Sequence, residues 1–175
     1  MGYTTDFEGH FTFDRPVDPA LKEYLSAFSN IRHVKRDVNK LKNFKDIRRE
    51  NVGLPLGKDG EYYVGSVDDG NMGQMGDESV IDNNNNPDTQ PGLWCQWTIN
   101  DSSKWLIWDG GEKFYNYTEW LIYLIDNFFK PFGYVLNGEV EWQGEDSDDY
   151  GIVGVEDNKV YLKHGKRAYS DKEYV

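Results

Sequence analysis

Residues 139–151 read EVEWQGEDSDDYG, with six carboxylates in thirteen positions and no basic residue. Clustered carboxylates can hold a hard cation, work as an acid–base pair, or present a face to a basic partner. The cation reading is specific enough to check by spacing. With Asp146 as the first position of a calcium loop, Asp148 falls third, Gly151 sixth and Asp157 twelfth. Tyr150 then occupies the fifth position, where an oxygen ligand belongs, and the last ligand is Asp where a bidentate Glu is required. That spacing argues against a helix–loop–helix calcium site, leaving a weak divalent-ion site among Glu145, Asp146, Asp148 and Asp149 or a solvated turn.

Other chemistry-bearing residues are sparse. His10, His33 and His164 stand far apart, with none of the H-x-x-H, H-x-E or H-E-x-x-H spacings that hold zinc. No G-x-S-x-G elbow or phosphate-binding P-loop occurs. Cys95 is the single cysteine, which excludes an intramolecular disulfide, and strand alternation sends it to the core, where a thiol is inert. The segment DGGEKFYNY, residues 109–117, offers two readings: Gly110 and Gly111 permit a tight turn, and Glu112, Lys113 and Tyr115 stand just before a helix N-terminus able to bind an anion.

The elements that must position these groups follow from periodicity. Phe7, Phe11 and Phe13 alternate in a first strand. Asp18 and Pro19 form an N-cap and first-turn pair, followed by Leu21, Leu25 and Phe28 at helical spacing. Ile31, Val34, Val38 and Leu41 continue that period, so helix carrying basic residues on its outer side is expected through this region. A short strand is expected at residues 62–64. Residues 65–91, rich in Gly, Asn and Asp, read as one long polar loop. Residues 93–111 read as a hairpin of two aromatic strands, with Leu93, Cys95, Trp97 and Ile99 on one side and Trp94, Gln96 and Thr98 on the other. Asn116 to Glu119 has capping-box spacing, and Trp120, Leu121, Leu124 and Phe128 form the apolar stripe of the helix that follows. Three strands then complete the chain, the last two joined by a turn at Asp157-Asn158. We expect a single α+β domain over residues 1–175: an antiparallel sheet with two or three helices on one face, in a ferredoxin-like (split βαβ) topology with additions.

Along residues 138–145, Gly138, Val140, Trp142 and Gly144 share one face of a strand, and Glu139, Glu141, Gln143 and Glu145 share the other. If the helices cover the apolar face, the opposite face shows a carboxylate ladder, with Trp94 expected beside it. A solvated polar face is the plain account of this pattern, and a partner surface the sharper one.

Charge narrows the partners. The formal net charge is −12 and the pI about 4.6, against nucleic acid and anionic membrane as partners, since both are polyanions. Residues 32–49 carry eight Lys and Arg against Asp37 and Asp46, whereas nine acids and no base lie from Asp59 to Ser103. The basic stretch reads as a solvated helix face partly neutralised by the acidic loop. No basic run leads into an apolar one at the start of the sequence, and no stretch has the ~20 apolar residues of a membrane span, so a cytoplasmic location is expected.

Three segments, QPGLWCQW (90–97), WDGGEKFYNYTEWLIYLI (108–125) and LNGEVEWQGEDSDDYG (137–151), resemble a family of small proteins of bacteriophages, prophages and bacteria. The opening GYTTDF and ESVIDNNNNPDTQPG are similar to it too, so the resemblance covers most of the chain. It implies a phage or mobile-element setting, hence the host cytoplasm, and no mechanism. The matching polar residues Gln96, Glu112, Gln143, Glu145 and Asp146 become candidates for a site.

Taken together, these observations lead to the expectation of a non-enzymatic acidic binding or inhibitor protein that occupies a basic host protein, with no cofactor. Its candidate binding residues are Trp94, Gln96, Glu112, Tyr115, Glu139, Glu141, Gln143, Glu145 and Asp146. The alternative is a nucleotide- or metal-binding protein or hydrolase with a site where Glu112, Glu145 and Asp146 converge.

Overall fold

The computed structural model describes residues 2–65 and 76–175. Strand β1 (Thr5–Phe13) enters the centre of the molecule, and α1 (Pro19–Asn30) follows. Asp18 caps α1 as its sequence suggests, its carboxylate accepting from Ala20 N at 2.9 Å. A peripheral unit comes next: β2 (Lys35–Arg36), α2 (Val38–Leu41), α3 (Ile47–Asn51) and β3 (Val80–Asp82), with β2 and β3 paired antiparallel. The chain returns as the hairpin β4 (Trp97–Ile99) and β5 (Trp105–Trp108), then α4 (Tyr117–Leu124), which runs on through a π-helical turn, Ile125–Phe129. Finally β6 (Leu136–Gly144), β7 (Tyr150–Glu156) and β8 (Lys159–His164) form a meander. The main sheet has six strands in the order β4-β5-β1-β6-β7-β8, each neighbouring pair antiparallel. The fold class is therefore α+β.

One face of this sheet is covered. Phe11 and Phe13 of β1, Leu136, Val140 and Trp142 of β6, and Val153 and Val155 of β7 pack in one core with Leu21, Leu25 and Phe28 of α1 and Trp120, Leu121 and Phe128 of α4 and its π-helical turn. Register accounts for this sharing of a face, since Phe11 pairs with Gly138, Phe7 with Trp142 and Phe13 with Leu136. Many of the aromatic rings meet edge to face, as Phe13 and Phe129 do at 4.9 Å, an arrangement their quadrupoles favour. Cys95 is fully buried in this core, and desolvation drives its thiol pKa far above the usual value. Among the described residues, no helix is long and apolar enough to cross a membrane.

The stretch from Ile31 to Asp37 departs from its helical pattern, whereas Val38–Leu41 is helical as that pattern requires. Helix α1 stops at Asn30, and the backbone turns extended at Ile31. Tertiary hydrogen bonds explain the stop: His33 N donates to Leu93 O, Lys35 N to Asn85 O and Asp37 N to Ser79 O, which no continuing helix could offer. The basic residues do not form one solvated helix face either, although Lys40, Lys42 and Lys45 are exposed in and after α2. Arg36 is buried, its Nη1 2.7 Å from Asp77 Oδ2 and 2.8 Å from Ser79 Oγ, its guanidinium 4.8 Å from the Tyr63 ring. Lys35 pairs with Asp88, so neutralisation by the following acidic segment does hold. Part of the expected 65–91 loop, residues 66–75, lies outside the described residues. The remainder contains β3 and a set of Asx-type turns, including Asn84 N to Asp82 Oδ1, and is not one continuous loop.

Three smaller expectations also change. Residues 62–64 are not a strand; they follow a 3₁₀ turn at Lys58–Gly60. Asn116 sits in the left-handed region (φ 55°) and makes no capping bond, because its Nδ2 donates to Pro91 O at 2.7 Å. Residues 93–96 precede β4 as irregular chain, although the burial of Cys95, Trp97 and Ile99 keeps the expected alternation. The Asp157-Asn158 turn is as expected, both residues having positive φ, the geometry of the tightest hairpins.

Candidate functional site

Among the described residues no helix packs on the opposite face of the sheet, and the ladder lies there. Glu139, Glu141 and Gln143 are exposed while Val140 and Trp142 between them are buried. Strand β1 doubles the ladder. Its register sets His10 opposite Glu139, Glu8 opposite Glu141 and Asp6 opposite Gln143. Directly opposed side chains on one face have Cβ atoms ~4.5–5.5 Å apart, so Glu8 and Glu141 are cross-strand neighbours. On the far side of β6, Ile152 pairs with Glu141 and Tyr150 with Gln143. Asp6, Glu8, Glu141, Tyr150, Ile152 and Lys163 all line a surface groove of about 690 Å³. Its lining thus combines apolar surface with three acids, Asp6, Glu8 and Glu141, and the base Lys163.

The first rung is charge-compensated from within the chain. Lys163 Nζ lies 2.5 Å from Glu139 Oε1, and Tyr161 OH donates to the same oxygen at 2.6 Å. Lys163 and then Tyr161 hold the Glu139 carboxyl below its usual range, and Glu139 raises both partners in turn. His10, the β1 member of this rung, stacks on Trp105 at 4.0 Å. Among the described residues, Asp6, Glu8 and Glu141 have neither an ion pair nor a side-chain hydrogen bond.

Compared with protein-family models, curated proteins and solved structures, the chain matches none.

The acidic turn after β6 does something different from the ladder. Glu145 Oε1 accepts from Thr4 N at 2.6 Å. Tyr3 OH donates to Asp149 Oδ2 at 2.7 Å, while Asp146 N donates to the Tyr3 hydroxyl at 3.2 Å and Trp142 Nε1 to Asp149 Oδ1 at 3.1 Å. Gln143 Nε2 closes the turn on the carbonyls of Gly144 and Asp146. This turn is a clasp on residues 3–4, and the hydrogen bond to Asp149 pushes the Tyr3 phenol up. The calcium-loop spacing fails outright, because its middle positions lie in β7.

The remaining candidates are elsewhere. Gln96 Oε1 accepts from Trp108 Nε1 at 3.0 Å and its Nε2 donates to Glu112 O at 2.8 Å, a structural brace for the Gly110-Gly111 turn. Trp94 is half-buried before β4, with Arg32 6.0 Å from its ring. Since β5 and β1 separate β4 from β6, Trp94 does not stand beside the ladder as expected. The exposed Tyr115 accepts from Tyr3 N at 3.0 Å through its hydroxyl. Glu112, Glu145 and Asp146 line neither this groove nor a second one between α1 and α3, and no three His, Cys, Asp or Glu among the described residues are grouped to hold a metal ion. Sequence reasoning missed Asp6, Glu8 and Lys163. The signal was present: the alternation that puts Phe7, Phe11 and Phe13 inside puts Asp6, Glu8 and His10 outside.

Proposed function

We propose that this chain is a non-enzymatic binding protein of phage or mobile-element type, acting in the host cytoplasm, whose open sheet face engages a basic surface of a host protein. The observation that carries the reading is the Glu8–Glu141 pair: two like charges directly opposed, exposed, and met by no cation of the described chain. Opposed like charges destabilise a sheet, and a face selected only for solubility would alternate signs across strands. A face that keeps the repulsion and adds Ile152, Tyr150 and a groove is suited to gaining from a cationic partner what it loses alone. The net charge of −12 would steer that encounter and disfavour nucleic acid. We further propose that β1, α1, β4, β5, α4 and β6 form a split βαβ unit to which β7 and β8 were added; the order β4-β5-β1-β6 supports this.

The test compares wild type with the Glu8→Gln/Glu141→Gln double variant. Relief of repulsion should raise the variant's Tm by about 1–3 °C. Capture of a basic protein from host lysate should be strong for wild type at low salt and lost both in the variant and at high salt. Equal capture by the better-folded variant would remove the ladder from the function.

A further inference from the structure

The ladder has a repeat, and the repeat says what can lie on it. Its rungs are His10/Glu139, Glu8/Glu141 and Asp6/Gln143. Successive rungs are two residues apart along both strands, hence ~6.6–6.8 Å. The first rung shows how this surface holds an ammonium group: Lys163 sits on the Glu139 carboxylate, and Tyr161 hydrogen-bonds the same oxygen with its ring 5.4 Å from that ammonium. The Tyr161 ring lies over Gly154, where a Cβ would overlap it, so the side chain is laid flat along the face by a residue without one. The second and third rungs present Glu8, Glu141 and Asp6 with no cation from the described chain, beside the apolar Ile152 and the Tyr150 ring.

We propose that the occupant of this face is an extended basic segment carrying Lys or Arg at alternate positions, two residues apart, one cation on Glu8/Glu141 and the next on Asp6/Gln143. An extended chain repeats its same-side residues at the spacing of the rungs, whereas adjacent basic residues point to opposite sides and a helix repeats at i+3 or i+4. Lys163, at the groove's other edge, sets the direction of charge: the segment's cations lie toward β1, and its apolar or acidic side chains toward β7 and β8. This inference rests on the binding function proposed above and adds the form of the partner to it.

The experiment uses the full chain and acetylated, amidated heptapeptides of Ser and Thr containing two Arg, either adjacent or separated by one residue. Affinities would be measured by fluorescence anisotropy at low salt, and amide chemical-shift changes mapped onto β1 and β6. The alternating peptide should bind about fivefold more tightly than the adjacent one, the gain from one extra exposed ion pair. The Glu8→Gln/Glu141→Gln double variant should abolish that difference, while Asp126→Asn, on the helical side, should keep it. Equal affinity for both peptides, with shifts on the ladder, would overturn the spacing inference and leave a basic partner standing. No binding by either peptide would overturn both.

Discussion

Replacing Trp97 with alanine should cost about 4 kcal/mol, a large share of the ~5–15 kcal/mol that holds a domain of this size together. Trp97 is 1% exposed, and its indole meets Phe7, Phe11 and Phe114 edge to face at 5.3–5.6 Å. It also ties the sheet to both helices. Its Nε1 donates to Tyr117 O at 2.8 Å at the start of α4, and its carbonyl accepts from Ser29 Oγ at 2.5 Å in α1. Alanine keeps the second link and loses the first, adding an unmade hydrogen bond to the cavity. Trp105→Ala is the control: that ring is 41% exposed on the open face, and its removal should cost under about 1.5 kcal/mol. Urea denaturation of the two variants measures the gap, and similar midpoints would refute the part given to Trp97.

The second large effect is pH-dependent. His33 is buried against Phe28 and Trp120, its Nε2 3.0 Å from Phe28 O, where it donates to one of the free carbonyls ending α1. Desolvation holds its pKa down at about 3 from 6.5; the hydrogen bond to Phe28 opposes that shift and Arg36 adds to it. The unfolded chain therefore takes up a proton below pH 6.5 that the folded chain refuses until about pH 3. The stabilising preference for neutral His33 is complete above pH 6.5 and lost on acidification, on the order of 3 kcal/mol between pH 7 and pH 4. Asp46 works in the opposite direction. Burial lifts its carboxyl to about 6 although Arg49 Nε lies 2.6 Å away, so folding holds its proton more tightly and acidification restores stability. The two effects offset one another in wild type, and the difference from His33→Gln isolates the first. Wild type should lose on the order of 3 kcal/mol more than His33→Gln over that interval, and parallel pH profiles would rule the assignment out.

Legibility in the sequence followed the range of the interactions. Strands β1, β6, β7 and β8 and helix α1 are stated locally, by a period of two, by Asp18-Pro19 and by the Asp157-Asn158 turn. Ile31 to Arg36 was misread because its period is helical while its hydrogen bonds go to Leu93, Asn85 and Ser79, far along the chain. Asn116 failed as a cap for the same reason, its amide being committed to Pro91. For the candidate site, alternation correctly exposed Glu139, Glu141 and Gln143 but could not say which strand lies beside them. That depends on β1 inserting between β5 and β6, and only this pairing adds Asp6 and Glu8 to Glu139 and Glu141 as a double row. Glu145 and Asp146 share the acidic run in sequence, but the turn takes them off the ladder to fasten residues 3–4.

Cys95, sealed at 0% exposure and the sole thiol, makes the molecule its own clock. A maleimide cannot reach the sulfur while the core is closed, so the rate of labelling in plain buffer should count openings and rise in step with the destabilisation of each variant. Fast labelling of the native chain would mean that the β4 side of the core breathes independently of the rest.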